Sequence, residues 1–292
     1  MRLVTCLFII SLLSLSTQAQ DNEWASISFA SETEKQAFES ASGDYLGVQL
    51  AMNGAASQAE IQEWKNQLTA FATTLKEKFS LPERKFLAYV FYQTHKVFLH
   101  QYAQETHLAD VFSQGKYNCL SASLLYAHLL NELGLGYEFI ESPHHIVVLV
   151  KGKEQTYLFE STDASNGFVF KPEQVKKRIQ SISAVNNPIQ SPSLIGTSTS
   201  NEYIFTTDET FTIGMKEATG LLFYNQAIVE YNAQKLDASF MTLYKGLYFY
   251  SSPRMQEFFQ VLVQTINQAP SLGENTRQQL IHKYAQYKAQ LK

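Results

Sequence analysis

Apolar residues along the chain recur first at helical spacing, then alternate as in strands, and finally return to helical spacing. From Ser57 to Phe79, the positions Ile61, Trp64, Leu68, Phe71, Leu75 and Phe79 fall every three or four residues and line one helical face. Leu81-Pro82-Glu83 restarts a helix, because proline costs nothing in a first turn whose N–H lacks an intrahelical partner anyway. That helix runs to about Ala103, with Phe86, Val90, Phe91, Val97, Phe98 and Tyr102 expected to face the core. Asn118 can cap a further helix from Cys119 through Glu132, which ends at Gly134 and Gly136. Ahead of all these, Asp21 to Gly43 is polar, with one short helix expected around Glu32 to Ser42.

Beyond Gly136 the period changes to two. Tyr137 to Glu141, His145 to Val150 and Gln155 to Ser161 read as strands, and Lys151-Gly152-Lys153 is short enough to make the last two an antiparallel hairpin. Lys171 to Ile182 reads as a short helix. Asn186 to Asn201, rich in Asn, Pro, Ser and Thr, reads as a linker or surface loop, and Ile204 to Ile213 as a strand or hairpin. Helical spacing then returns in Leu221 to Ala233, Ala238 to Phe249, Arg254 to Gln268 and Glu274 to Leu291. Helices followed by sheet point to an α+β arrangement, with helices packed on an antiparallel sheet and a helical C-terminal segment. The expected division is a leader over residues 1–19, a domain over 20–200 and a helical segment over 201–292. At the level of pattern, Tyr224, Ala227, Tyr231 and Gly246 make that last segment resemble a tetratricopeptide-type helical hairpin.

The leader changes the chemical picture. Met1-Arg2 followed by an apolar run from Leu3 to Leu15 is a signal-peptide layout, with Ala19 as the last residue removed. The mature protein is therefore expected to be exported, to the periplasm or outside the cell. No later stretch reaches the roughly 20 apolar residues of a membrane helix, so no stable membrane insertion is expected. Removing the leader takes Cys6 with it and leaves Cys119 as the one cysteine, without an internal disulfide partner. The 23 Lys and Arg against 27 Asp and Glu give a net charge of -4, and the basic residues are scattered, Lys176-Lys177-Arg178 being the densest group. That distribution argues against nucleic acid as a partner. No G-x-G-x-x-G or Walker-type loop follows a predicted strand, so no nucleotide cofactor is expected.

The strongest chemical signal is Gly115-Lys116-Tyr117-Asn118-Cys119-Leu120-Ser121-Ala122-Ser123. A cysteine in the first turn of a helix meets the positive end of the helix dipole and free backbone N–H groups, both of which favour a thiolate. A histidine able to take the thiol proton completes a nucleophile, and His144 and His145 stand at the start of a strand, pointing to opposite faces. The orienting acid would come from the adjoining strand end, where Glu160 and Asp163 are both within range of His145. A metal site built from His144, His145 and Asp163 is disfavoured because adjacent strand histidines diverge and no H-E-x-x-H stretch is present.

From about Leu108 to Phe168 this pattern resembles the transglutaminase-like superfamily, which shares the papain-like order cysteine, histidine, acid. The resemblance implies a nucleophile opening the central helix, Cys119, a histidine opening one strand, His145, and an acid near the end of the next, Glu160. The family usually has Asp at that last position and often carries tryptophans near the nucleophile and in the acid strand, where this chain has tyrosines such as Tyr117 and Tyr157. By the papain-like arrangement Gln114, an amide just before the nucleophile, is the expected second oxyanion donor beside the Cys119 N–H. The implied activity is a cysteine-dependent hydrolase acting on a peptide or protein amide through a thioester, without cofactor or metal. Two alternatives stand beside it: an amine-accepting transglutaminase, and a catalytically silent binding or assembly module whose C-terminal helices contact a protein partner.

Overall fold

The computed structural model describes residues 27–183 and 210–291. The expected leader, the 186–201 linker and the first part of the Ile204 to Ile213 element lie outside the described residues. The architecture is α+β, and its residues fall into two compact units. The larger runs from Phe29 to Leu262, across the division expected at residue 200; the smaller comprises residues 27–28 with 263–291.

In the larger unit, α1 (Glu32–Glu39) is capped by Ser31, whose Oγ accepts the Glu34 N–H, and α2 (Tyr45–Ala51) by Asp44. Next comes α3 (Gln58–Lys76), opened by a reciprocal Ser57/Glu60 capping box. It buries Ile61, Trp64, Leu68 and Leu75 as its periodicity predicts. Phe79 lies beyond its end, exposed, with its ring 4.8 Å from that of Phe86. In α4 (Glu83–Phe98) the buried stripe contains Phe86, Val90, Phe91 and Phe98. Val97 and Tyr102 depart from expectation: both are exposed, because Thr94 and His95 share the buried stripe and the helix stops before Tyr102. Tyr102 instead belongs to β1 (Gln101–Tyr102), which pairs in parallel with β2 (Lys116–Tyr117). Between them lies α5 (Leu108–Gln114).

The central helix is α6 (Cys119–Glu132), buried at every position from Leu120 to Leu130. A helix apolar on all sides needs cover on all sides. One side is supplied by a five-stranded antiparallel sheet: β3 (Gly136–Glu141), β4 (Ile146–Lys151), β5 (Thr156–Phe159), β6 (Phe168–Val169) and β7 (Phe211–Ile213), in the order β6-β5-β4-β3-β7. Tyr126 of α6 packs edge-on to Phe159 at 5.2 Å and stacks on Phe91 of α4 at 5.4 Å. On the other face, Ile140, Val147, Leu149, Leu158 and Val169 pack with Val175, Ile179 and Ile182 of α7 (Pro172–Ser183). This alternation reproduces the period-two pattern and fixes the strand register. Strands β6 and β7 are too short to show such a pattern in sequence.

Further cover comes from α8 (Met215–Asn232), which packs on α6 and α2. It forms an antiparallel pair with α9 (Leu236–Phe249), and the two approach closely at Gly220 and Gly246. A Cβ on Gly246 would lie 2.9 Å from Phe223 Cβ, and one on Gly220 2.6 Å from Tyr250 Cβ. α10 (Pro253–Gln268) continues from there into the smaller unit, which also holds α11 (Glu274–Gln290) with its Arg277–Glu274 ion pair. Among the described residues no helix is long and apolar enough to cross a membrane.

Candidate functional site

Cys119 owes its place to the chain just before it. β2 is held against β1, and the Ala103 N–H donates to Tyr117 O at 2.8 Å, so the strand is pinned up to the residue before the cap. Asn118 then caps α6: its Oδ1 accepts the Ser121 N–H at 2.9 Å, and the Ser121 Oγ accepts the Asn118 N–H at 2.9 Å. The amide's other end donates to Gln104 O at 2.9 Å, which fixes the cap to the preceding loop. Cys119 is thus the first helical residue, a half-buried free thiol at the positive end of a buried helix. The N–H groups of Cys119 and Leu120 have no intrahelical partner, as at any helix start.

His145 sits in the four-residue connection between β3 and β4, immediately before Ile146. Ser142 closes that turn, donating its N–H to His145 O at 2.8 Å and accepting the His145 N–H on its Oγ at 3.1 Å. Glu160 is one residue past the end of β5, so both side chains stand at neighbouring strand ends on one edge of the sheet. His145 Nε2 meets both carboxylate oxygens of Glu160 at 2.9 Å, and Thr162 donates its hydroxyl to Glu160 Oε1 at 2.7 Å. With Nε2 so occupied, Nδ1 is the ring atom left to act on Cys119, whose thiol stands close enough to raise the ring.

Burial of His145 opposes its positive charge, but the hydrogen bonds to Cys119 and Glu160 and the charges of both outweigh it and raise the imidazole from 6.5 to about 10. The reverse holds for Glu160. Burial pushes its carboxyl up, and the hydrogen bond and charge of His145, helped by Thr162, more than offset that and hold it below its ordinary value.

The structure therefore brings Cys119, His145 and Glu160 together and leaves Gln114, His144 and Asp163 out. Gln114 ends α5, is exposed, and donates to Asp110 Oδ1 at 3.0 Å on its own helix. His144 is exposed at the tip of the turn. Asp163 accepts the Asn166 N–H at 2.9 Å and pairs with Arg178 at 3.6 Å, which is turn and surface work.

Sequence reasoning missed two sets of residues. Ser161, fully buried, donates to Cys119 O at 3.3 Å and lies 3.3 Å from Ser123 Oγ, so two small hydroxyls lock the start of α6 to the strand end that carries Glu160. A serine on the buried face of an otherwise apolar helix was the available signal. Tyr102, 54% exposed, stands edge-on to Tyr117 at 5.9 Å; its phenol is raised by burial and then by the negative charge of Cys119 and Tyr117. Tyr102 is thus a neighbour of the thiol and not a core aromatic.

A cleft lined by Thr106, His107, Asn118, Leu222 and Gln226 adjoins the cap without including Cys119, His145 or Glu160, so the site is defined by side-chain geometry and not by a deep cavity. Among the described residues no group of three or more His, Cys, Asp or Glu side chains converges as a metal site. No protein-family model, curated protein or solved structure matches the chain.

Proposed function

We propose that this chain is an exported cysteine-dependent hydrolase of peptide or protein amides, built on a transglutaminase-like, papain-like core. The observation that carries the reading is the grouping of three side chains from separate elements. A thiol at the start of a buried helix stands beside an imidazole, whose far nitrogen is held by both oxygens of a buried carboxylate. An imidazolium that stays charged through neutral pH favours a thiolate beside it.

In the proposed reaction the Cys119 sulfur attacks the amide carbonyl carbon, and the developing oxyanion is met by the Cys119 N–H. The carbon–nitrogen bond then breaks, and His145 gives its proton to the departing amine, leaving a thioester on Cys119. His145, now neutral, takes a proton from water as that water attacks the thioester. The carbon–sulfur bond breaks, the acid leaves, and the proton on His145 restores the resting pair. Glu160 stabilises the charged ring and fixes which nitrogen faces the thiol.

The test is mass-spectrometric mapping of iodoacetamide labelling at mildly acidic pH, alongside hydrolysis of a mixed peptide substrate. Wild type should label at Cys119 and hydrolyse, Cys119→Ala should do neither, and His145→Ala and Glu160→Ala should lose labelling in the acid range. A wild-type thiol that labels only at alkaline pH, like an isolated cysteine, contradicts the reading.

A further inference from the structure

The turn that carries His145 is gripped from outside the sheet. Arg254, in the first turn of α10 and buried, donates Nη1 to Ser142 O at 3.4 Å and to Pro143 O at 3.3 Å. Its Nη2 pairs with Glu141, the last residue of β3, which is also buried. Glu141 Oε2 accepts the Tyr250 hydroxyl at 3.1 Å, and the Arg254 guanidinium lies 5.1 Å from the centre of the Tyr224 ring. Residues from α8, α10 and the α9–α10 connection thus meet at one point, the residues just before His145. All of them lie within the larger unit.

A guanidinium is suited to this task because its planar fork can satisfy a carboxylate and two carbonyls in fixed directions, which an ammonium cannot. Burying such a pair is costly unless the geometry is well satisfied: burial pushes the Glu141 carboxyl up even against Arg254 and Tyr250. A surface turn of four residues needs no buried ion pair to close, since Ser142 already closes it. What the pair adds is a fixed direction for the turn.

Resting on the cysteine-hydrolase reading above, we infer that Arg254 is a positioning residue: by holding Ser142 and Pro143 from the C-terminal helices it aims the His145 ring at Cys119. The helices after β7 are on this account part of the catalytic unit, not an appended module. Arg254 acts only through the turn. The titratable groups that act on His145 itself are Cys119 from α6 and Glu160 from the end of β5.

The experiment is the pH profile of Cys119 alkylation by iodoacetamide in the full chain, with a melting curve for each variant. Arg254→Met should move the profile toward that of an isolated thiol and slow labelling at mildly acidic pH roughly tenfold or more. Because Arg254→Met strands a buried carboxylate, the Glu141→Leu/Arg254→Met double variant, which leaves no orphan charge, and Arg254→Lys are measured beside it. The double variant should shift as far as the single one, and Arg254→Lys part of the way. Lys245→Met is the matched control, because it breaks another buried ion pair, Lys245–Glu34 at 2.6 Å, and should lower the melting temperature while keeping the wild-type profile. Folded Arg254 variants with the wild-type profile, or a Lys245→Met profile that moves as theirs do, would overturn the inference. A wild-type profile already like that of an isolated thiol would overturn the parent reading, and this inference with it.

Discussion

The start of α6 faces a half-buried histidine and its later turns carry a buried one, and the two rings are set to opposite charges. At the start of the helix, His145 is raised to about 10. Further along, His128 is lowered to about 4, first by burial, with the charge of Asp44 acting against that and the charge of Lys65 adding to it. The difference lies in the partners. His145 has a carboxylate at one nitrogen and a thiol nearby, whereas His128 Nε2 meets the neutral Gln49 amide at 2.7 Å, and Gln49 passes the chain on to Thr219 at 2.7 Å. Burial alone produces a neutral structural histidine tying α2, α6 and α8; burial beside two groups that can carry negative charge produces a charged one. The same residue type therefore serves packing at one end and, on our reading, chemistry at the other.

The sharpest break in that contrast is His145→Gln, which should lower amide hydrolysis by about 10²–10⁴-fold, the range for removing a general acid–base. The assay is turnover of a peptide substrate. His128→Gln should leave turnover unchanged, and an equal loss in both variants would dissolve the distinction. Next in size, Glu160→Gln should cost about 10- to 100-fold in rate, as loss of an orienting partner typically does, and should bring the His145 ring down toward 6.5 because a neutral amide no longer favours its charge. His128→Leu should leave the Gln49 amide oxygen without its ring partner and cost about 1–3 kcal/mol in denaturant unfolding, with the alkylation profile unmoved. A comparable loss is expected for Gly167→Ala, where a Cβ would stand 2.1 Å from Glu160 O. Overpacking there should cost about 1–3 kcal/mol and, unlike His128→Leu, should also perturb alkylation.

The remaining effect is on stability against pH. A folded-state His145 above its unfolded value contributes stability that is complete below about 6.5 and fades as pH rises through about 10; Glu160, held below 4.5, contributes stability lost only as pH falls through its lowered value. The melting-temperature gap between wild type and His145→Gln should therefore narrow steadily on the alkaline side.

How much of this was legible differs along the chain. Helices with a long amphipathic stripe or a strong cap could be read directly: Asn118 announced α6, and the spacing of Ile61, Trp64 and Leu68 announced α3. The hairpin reading put Glu160 and Asp163 both within range of the strand-start histidines, and the family resemblance singled out His145 with Glu160. Two-residue strands carry no period, so β1, β2 and β6 were silent, as was the seven-residue α2. Gln114 was expected near the thiol from the papain-like arrangement that the resemblance implies. Gly115, at φ 67°, turns the chain at the end of α5 and leaves that side chain on the outside. Arg254 and Ser161 were invisible for a different reason: their partners lie 112 and 42 residues away, and only the assembled sheet edge brings them together.

Nuclear magnetic resonance titration of the His145 ring in the wild-type chain reaches the central claim most directly. The account predicts an imidazolium that persists through neutral pH and loses its proton near pH 10. A ring that titrates at or below the ordinary 6.5 would mean that neither Cys119 nor Glu160 holds its charge, and the proposed nucleophile would have no partner.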